Sequence, residues 1–366
     1  MKKPVRVLVV DDSAVISKAL SLKLNRDTEI EVVGRAANGA EALAQVSSLK
    51  PDVVTMDINM PVMDGLTALE HLMEKSPLPV IMISSLTTDG AEETIAALEK
   101  GALDFLPKET CISASAEDTE LLLQKIKTVA RSRAAKPGMR KKTTAQPTPD
   151  PVRHTGAEKK EKEKEKETAL SPALLKDVGV VLIGASTGGP GVLLDIIPHL
   201  PSSFPVPIII IQHMPANFTN SLAQRLDKLS SLPVLEAFEG CDIRKGHVYL
   251  APGGKHIAFH YAKKKLETVF PAVDENIVYK PSVDVAASSL AEVYPGKALA
   301  IMLTGMGHDG VKGFRALKEK GSLIIAQSKH SSVIYGMPRA VVDSGLADAV
   351  QSTRRILETL KKLASL

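Results

Sequence analysis

The sequence of 366 residues contains no tryptophan, only two cysteines and only 3% aromatic residues. Two cysteines, Cys111 and Cys241, exclude a disulfide framework and every zinc or iron–sulfur site built from several cysteines. The scarcity of aromatic rings leaves few side chains that could stack on nucleic-acid bases. The first apolar run ends after six residues at Asp11 and Asp12, and no run of 18 apolar residues follows. We therefore expect a cytoplasmic protein without a signal peptide or membrane insertion.

The net charge of +4 does not indicate a basic domain. Residues 131–142 carry six basic side chains and no acidic one, so the rest of the chain has a net charge of −2. Because the excess is confined to one short segment, no folded unit presents a basic face to a polyanion. Nucleic acid is therefore not an expected partner.

Composition divides the chain into two folding units. At roughly 150 residues per domain, the length favours two or three domains. After about residue 135 the sequence becomes rich in proline and charge, and residues 158–167 consist of five glutamates and five lysines. Such a tract buries nothing that could offset the entropy of ordering it. We predict a first domain at residues 1–130, a charged flexible linker at 131–175 and a second domain at 176–366.

Both domains alternate apolar strands with amphipathic helices. The first has five such repeats, and its strands read VRVLVV, IEVVGRA, PDVVTMD, PVIMIS and GALDFLP. In the second, the strands read VGVVLIGA, VPIIIIQH, HVYLAPG, ALAIMLTG and SLIIAQ, and HIAFHYAKKKLETVF indicates an antiparallel excursion. Continuously apolar strands separated by helices are typical of parallel sheets covered on both faces. The predicted fold class is α/β, with two doubly wound, mostly parallel sheets.

Polar side chains follow the strands of the first domain where the carboxyl ends of a parallel sheet meet. Asp11 and Asp12 follow the first strand, Asp57 ends the third, and Ser84 and Lys108 follow the fourth and fifth. Function in open parallel sheets collects at this edge. Clustered carboxylates repel one another unless a cation joins them, and oxygen ligands without cysteine or histidine favour Mg²⁺. The sequence therefore predicts an Mg²⁺ site beside a phosphate-binding lysine and hydroxyl.

Residues 5–125 resemble response-regulator receiver domains in the segments VLVVDDS, DINMPVMDGL, MISS and GALDFLPK. The resemblance implies a flavodoxin-like fold in which Asp57 accepts a phosphoryl group from a chemotaxis histidine kinase. It implies that the carboxylates and the backbone carbonyl of Asn59 hold Mg²⁺. Ser84 and Lys108 would contact the phosphoryl group, and Phe105 would reorient. One departure is that Lys108 follows a proline and precedes glutamate, whereas the family lysine normally precedes proline.

The second domain carries a hydroxyl, an imidazole and a carboxylate after three of its strands. Ser186 lies in a G-x-S-x-G turn, the strand–turn–helix pattern that exposes a nucleophile. His213 ends the next strand and is the best-placed base, with His256 and His308 as secondary candidates. Asp309 follows a third strand and could orient the base. Alternatively, Asp309 could be a helix N-cap.

Glycines flank this carboxylate and suggest an oxyanion-binding amide near Met306. The chain order serine, histidine, aspartate differs from that of the α/β-hydrolases, which argues against that superfamily despite the matching turn.

Residues of about 178–362 resemble the catalytic domain of chemotaxis protein-glutamate methylesterases in the blocks IGASTGGP, IIIQHMP, LAPGGKH, KPSVDV, LTGMGHDG and VIYGMP. The resemblance implies a Rossmann-like domain with a Ser186–His213–Asp309 triad, the Met306 backbone as oxyanion contact and Thr187 beside the nucleophile. It implies hydrolysis of glutamate γ-methyl esters on methyl-accepting chemoreceptors and deamidation of specific glutamines. Mg²⁺ would serve only the receiver, and hydrolysis would need no cofactor. The receiver would restrict access until Asp57 is phosphorylated.

Two other kinds of protein stay open at this stage. One is a receiver fused to a nucleotide-binding or transcriptional output module, which a DNA-shift assay would reveal. The other is a scaffold that binds receptors without hydrolysing them, which methanol release from methylated receptor would exclude.

Overall fold

The computed structural model describes residues 3–132, 167–168, 170–272 and 277–366. These residues form two α/β units, one before and one after the segment 133–166. Most of the predicted linker, including all but the last residue of its Glu–Lys tract, lies outside the described residues. The predicted fold class is confirmed in both units.

The first unit is a five-stranded parallel sheet with the strand order β2-β1-β3-β4-β5. Its strands are β1 (Val5–Val10), β2 (Ile30–Ala36), β3 (Val53–Asp57), β4 (Val80–Ser84) and β5 (Asp104–Pro107). Its helices are α1 (Ala14–Leu24), α2 (Gly39–Leu49), α3 (Gly65–Lys75), α4 (Thr88–Lys100), α5 (Lys108–Ile112) and α6 (Ala116–Arg131). Strands β1, β3 and β4 are rich in β-branched residues and almost wholly buried, as expected for strands covered on both faces.

Short polar side chains set the starts of most of these helices. The side chains of Ser13, Asn38, Asp64, Thr87 and Ser115 each accept a hydrogen bond from a backbone N–H of the first turn. Such caps satisfy amides that have no partner within the helix. They therefore fix where each connection after a strand ends, and so where the functional loops lie.

The second unit is a seven-stranded parallel sheet with the order β14-β13-β12-β6-β7-β9-β8. Its strands are β6 (Val178–Ala185), β7 (Ile208–Gln212), β8 (Val234–Glu236), β9 (Val248–Leu250), β12 (Lys297–Met302), β13 (Leu323–Gln327) and β14 (Ala349–Gln351). The predicted antiparallel excursion is the hairpin of β10 (Ala258–Ala262) and β11 (Lys265–Val269). The helices are α7 (Pro172–Leu175), α8 (Gly189–Ile196), α9 (Phe218–Leu229), α10 (Val283–Val293), α11 (Val311–Glu319), α12 (Met337–Asp343) and α13 (Thr353–Leu363).

The end of the predicted linker packs on the second unit. Helix α7 begins at Pro172, and both Leu170 and Leu175 are buried. The backbone N–H of Thr168 donates to the carbonyl of Val350, 3.2 Å away. The second unit therefore begins to pack before residue 176. Among the described residues, no helix is long and apolar enough to cross a membrane.

The two units are in contact through α4 and β5 of the first. Helix α4 packs against α9 and α8. Ile334 of the second unit belongs to a hydrophobic cluster of the first, and Met306 and Val333 pack against the same cluster. Since Met306 lies in the loop after β12, this contact borders the edge where Ser186 and Asp309 were expected.

Candidate active site and phosphorylation site

Three carboxylates meet at the carboxyl edge of the first sheet. Each of Asp11, Asp12 and Asp57 offers an oxygen atom, and these atoms lie within 4.8 Å of one another. Asp11 and Asp57 are buried, whereas Asp12 is exposed. The Nζ atom of Lys108 lies 2.6 Å from Oδ2 of Asp57. The lysine begins α5 and points at the carboxylate although a proline precedes it.

The chemistry of this cluster fits a divalent cation. Burial, together with the charge of Asp57, raises the pKa of Asp11 to about 6 although the Ser13 amide opposes this shift. Burial also raises the pKa of Asp57, and Lys108 offsets part of that rise. Oδ2 of Asp11 is buried and has no hydrogen-bond partner among the described residues. A hard cation would satisfy that oxygen and compensate the repulsion.

Replacing Asp11 by asparagine should stabilise the protein at neutral pH without Mg²⁺. The carboxyl has a pKa of about 6 in the folded protein and an ordinary value of 3.8. Between these values the folded state binds more protons, so stability falls as pH rises through this window. We expect Asp11→Asn to raise the free energy of unfolding at pH 7.5 by up to about 3 kcal/mol. The gain should vanish near pH 4.

Urea denaturation at both pH values measures this difference, with Asp12→Asn as the control for removing one negative charge from the same site. Equal gains for Asp11→Asn at pH 4 and pH 7.5 would contradict the raised pKa.

The other predicted residues of this site point partly towards α4. The Ser84 hydroxyl donates to the carbonyl of Gly90 in α4, 2.9 Å away. The Asn59 side-chain amide donates to Oε2 of Glu93, also in α4, at 2.9 Å. Phe105 is buried and stacks on Phe218 of the second unit, with ring centroids 4.4 Å apart. The site is thus connected to α4 and, through β5, to the second unit.

Ser186 follows β6 at a sharp turn into α8. Gly188 adopts φ +78°, a conformation that favours glycine and lets the chain turn within two residues of the serine. The backbone N–H of Ser186 donates to the carbonyl of Thr304, and that of Gly189 donates to Ser186. A Cβ on Gly305 would lie 2.8 Å from Cβ of Ser186. Glycine at 305 therefore lets the loop containing Met306 approach the serine closely.

His213 and Asp309 form a buried pair on the same edge. The His213 backbone N–H donates to the carbonyl of Ala185, which ties the end of β7 to the end of β6. Nε2 of His213 lies 2.8 Å from Oδ2 of Asp309. Nδ1 of His213 is buried and has no hydrogen-bond partner among the described residues. It is the ring nitrogen left to exchange a proton with a nucleophile.

Asp309 receives further hydrogen bonds from the start of α10. Its carboxylate accepts from the Ser282 hydroxyl at 2.9 Å and from the backbone N–H groups of Val283 and Asp284 at 2.6 and 3.1 Å. Burial alone would raise the pKa of Asp309, but the hydrogen bonds from His213 and these amides hold it below its ordinary value. The carboxylate is therefore fixed in its charged form, as an imidazole-orienting group requires.

Two neighbours of this pair were not predicted from the sequence. The Tyr279 ring stacks on the His213 ring, with centroids 4.3 Å apart and planes 5° apart. The Gln212 side chain donates to the Ser186 and His213 carbonyls. Tyr279 and Ser282 border or lie within the KPSVDV block, which was recognised as a motif without a role. Of the two secondary histidine candidates, His308 is exposed and His256 is buried. Asp309 pairs with His213.

The first unit reaches the residue beside Ser186. The Thr187 hydroxyl donates to Oδ2 of Asp104, 2.6 Å away, at the start of β5. Nζ of Lys125 in α6 lies 3.0 Å from the same oxygen. Thr187 was predicted to support the nucleophile, but Asp104 was not predicted to contact it. The first unit is therefore bonded directly to the rim of the candidate active site.

Comparisons with known proteins identify a family for each of the two units. Residues 181–360 match the CheB methylesterase family, and residues 7–127 match the response regulator receiver domain. The chain is 44% identical over 355 residues to a protein-glutamate methylesterase/protein-glutamine glutaminase of Oleidesulfovibrio alaskensis, covering 94% of this chain and 95% of the relative. A similarly named protein of Pseudomonas putida is 44% identical over 362 residues, covering 96% of this chain and 97% of the relative.

Two solved structures are similar to the separate units. The Thermotoga maritima CheB methylesterase catalytic domain is 43% identical, with a TM-score of 0.49, covering 51% of this chain and 98% of that structure. The response regulator domain of Thermotoga maritima CheB is 45% identical, with a TM-score of 0.33, covering 35% of this chain and 97% of that structure. From the nearly full-length relatives, the chain belongs to the protein-glutamate methylesterase/protein-glutamine glutaminase family and is a hydrolase with an N-terminal receiver domain.

Proposed function

We propose that this enzyme hydrolyses glutamate γ-methyl esters on chemoreceptors in the cytoplasm, releasing methanol, and deamidates specific receptor glutamines. The observation that supports this most is the buried His213–Asp309 pair, which lies on the same sheet edge as Ser186. A hydroxyl, an imidazole and a charged carboxylate after neighbouring strands are the groups that acyl transfer from an ester or amide needs.

In the proposed reaction, the Ser186 hydroxyl oxygen attacks the γ-carbonyl carbon of the receptor side chain. His213 takes the serine proton at Nδ1, and Asp309 holds the ring through Nε2. The tetrahedral oxyanion is stabilised by backbone amides of the glycine-flanked loop at Met306 and of the turn at Thr187. His213 then returns the proton to the leaving methanol, or to ammonia from a glutamine. Water attacks the acyl-enzyme by the same route and releases glutamate and free Ser186.

Two neighbours of His213 hold its ring in place. Asp309 keeps its negative charge because amides of α10 and the Ser282 hydroxyl bind it. The Tyr279 ring lies parallel to the imidazole and presents its π-face to the developing positive charge. Both contacts hold the ring in one orientation, which reduces the entropy cost of aligning it for proton transfer.

In the receiver, Asp57 would accept a phosphoryl group from the chemotaxis histidine kinase. Asp11, Asp12, Asp57 and the Asn59 carbonyl would hold Mg²⁺, which neutralises phosphate oxygens during transfer. Lys108 already lies against Asp57 and would bind a phosphoryl oxygen. Lys108 is thus already placed where it could bind the phosphoryl group once Asp57 carries it.

We further propose that phosphorylation acts on the esterase through α4 and β5. Ser84 can turn to a phosphoryl group only by leaving its hydrogen bond with Gly90 in α4. Phe105 is stacked on Phe218 of the second unit, so its movement would disturb the contact between the units. The hydrogen bond from Thr187 to Asp104 would hold the two units together beside the active site in the unphosphorylated protein, which we call the closed state. A shift of a few kcal/mol suffices to open such a state.

Methanol release from methylated receptor membranes tests this function. The enzyme should release methanol, and acetyl phosphate with Mg²⁺ should increase the rate. If the protein binds receptor membranes without releasing methanol, it is a scaffold and the proposed hydrolysis is wrong.

The substitution Asp104→Ala should raise the rate of the unphosphorylated enzyme. It removes the acceptor for Thr187 and the partner of Lys125 at the contact between the units. Losing a buried, charge-assisted hydrogen bond should increase methanol release about five- to tenfold and reduce the further effect of acetyl phosphate.

The matched control is Asp27→Ala, which removes an ion pair of Lys127 in the same helix, away from the second unit. An Asp104→Ala rate equal to that of the Asp27→Ala control would show that this contact does not restrain the enzyme.

A further inference from the structure

An acidic helix of the first unit, α4, packs against α9 of the second unit. Helix α4 carries Asp89, Glu92, Glu93 and Glu99 against the single base Lys100, and its other residues are mostly small. It packs against α9, which follows β7 and His213 in the chain. The face of α9 that meets the first unit, called the α9 surface, is defined here by Phe218 and Arg225, which contact Phe105 of β5 and Glu99 of α4. These two positions are seven residues, or about two helical turns, apart, so they share one face of the helix.

The ends of this surface are bound by specific groups of the first unit. Phe218 stacks on Phe105. Two turns further along α9, about 10 Å from Phe218, the Arg225 guanidinium makes two hydrogen bonds to the Glu99 carboxylate. Nε lies 2.7 Å from Oε1, and Nη2 lies 2.8 Å from Oε2. The fork geometry is that of specific carboxylate recognition.

This ion pair is exchangeable. The Arg225 side chain is 43% exposed and the Glu99 side chain 24% exposed, so neither charge would be stranded in the core when the pair separates. Pairs at such positions contribute little net stability, and a second carboxylate of equal geometry could replace the first at small cost. The α9 surface can therefore bind an acidic helix other than α4 of the receiver.

From this geometry we infer that the α9 surface is where the receptor substrate binds, with Arg225 pairing with a glutamate of a receptor helix. This inference rests on the proposed function. The substrate offers glutamyl side chains on a helical region, and α4 offers the same combination of helix and carboxylate. Helix α4 would then inhibit as a substrate mimic, held nearby at high effective concentration by the chain connection. Opening of the receiver would expose Arg225 to the receptor.

The two partners of this ion pair give a matched test in the full chain. Glu99→Gln and Arg225→Gln break the same contact, and both should raise methanol release without acetyl phosphate. With acetyl phosphate and Mg²⁺ the two variants should differ. Glu99→Gln should keep the wild-type KM for methylated receptor in vesicles, whereas Arg225→Gln should raise KM about three- to fivefold with kcat unchanged.

Two further measurements separate binding from folding and from catalysis. Hydrolysis of p-nitrophenyl acetate by the phosphorylated enzymes should be alike, which shows an intact triad. Arg225→Lys should recover part of the KM, and added salt should raise the KM of the wild type more than that of Arg225→Gln.

Equal KM values for phosphorylated Glu99→Gln and Arg225→Gln would overturn the inference while leaving the proposed function intact. If the wild-type enzyme cleaves p-nitrophenyl acetate but releases no methanol from the receptor, the proposed function is wrong and the inference falls with it.

Discussion

The substitution Ser186→Ala is expected to leave a folded protein that releases methanol several orders of magnitude more slowly. The change removes only Oγ. The Cβ atom that faces Gly305 stays, as does the backbone hydrogen bond from residue 186 to Thr304. Loss of a serine that merely capped a helix would cost about 1 kcal/mol of stability and would spare the rate. The rate and the melting temperature together therefore distinguish the two roles.

The measurement is methanol release with acetyl phosphate and Mg²⁺ present, so that closure by the receiver does not hide the effect. Ser202→Ala, at an exposed position of the same unit, is the control and should behave as wild type. If Ser186→Ala kept more than about a tenth of the wild-type rate, Ser186 would not be the nucleophile. Without the nucleophile, the other groups of the active site provide only a small part of the rate acceleration.

The substitution Asp57→Asn is expected to abolish phosphorylation by acetyl phosphate and, with it, stimulation of the esterase. An amide cannot form the acyl phosphate. The variant loses the ion pair with Lys108, but it also loses a buried charge that faces Asp11 and Asp12. The fold should therefore survive, because burial already disfavours the charged form of Asp57.

Phosphate incorporation and methanol release measured on the same sample test this expectation. Asp89→Asn, an exposed carboxylate at the start of α4, is the control and should incorporate phosphate normally. Wild-type incorporation in Asp57→Asn would place the acceptor elsewhere. Stimulation without incorporation would mean that acetyl phosphate acts outside the receiver.

Strands could be predicted from the sequence where their apolar runs are long. Five apolar strands in each unit and the hairpin β10–β11 were predictable, because each combines an apolar run with clear flanking breaks. The strands β8 and β14 were not predicted. Each has three residues and lies at an edge of the sheet, where pairing with one neighbour rather than local propensity decides the conformation.

The residues of the candidate site that directly follow parallel strands could be predicted from the sequence. Ser186, His213 and Asp309 each follow a strand, and the carboxyl ends of neighbouring parallel strands meet at one edge. The same reasoning brought Asp11, Asp57 and Lys108 together. In these cases the sequence by itself determined which chemical groups meet, because strand polarity and a short loop leave a side chain little choice of position.

Contacts made between distant segments were decided only by the tertiary structure. The hydrogen bonds of the α10 N-terminus to Asp309, the stack of Tyr279 on His213 and the bond from Thr187 to Asp104 join residues that lie between 25 and 83 positions apart. No local pattern encodes them, since they depend on how helices and whole units pack. The sequence therefore determined which polar groups follow the strands at the two sheet edges, and the packing of α4 and β5 against the second unit decided which contacts surround them.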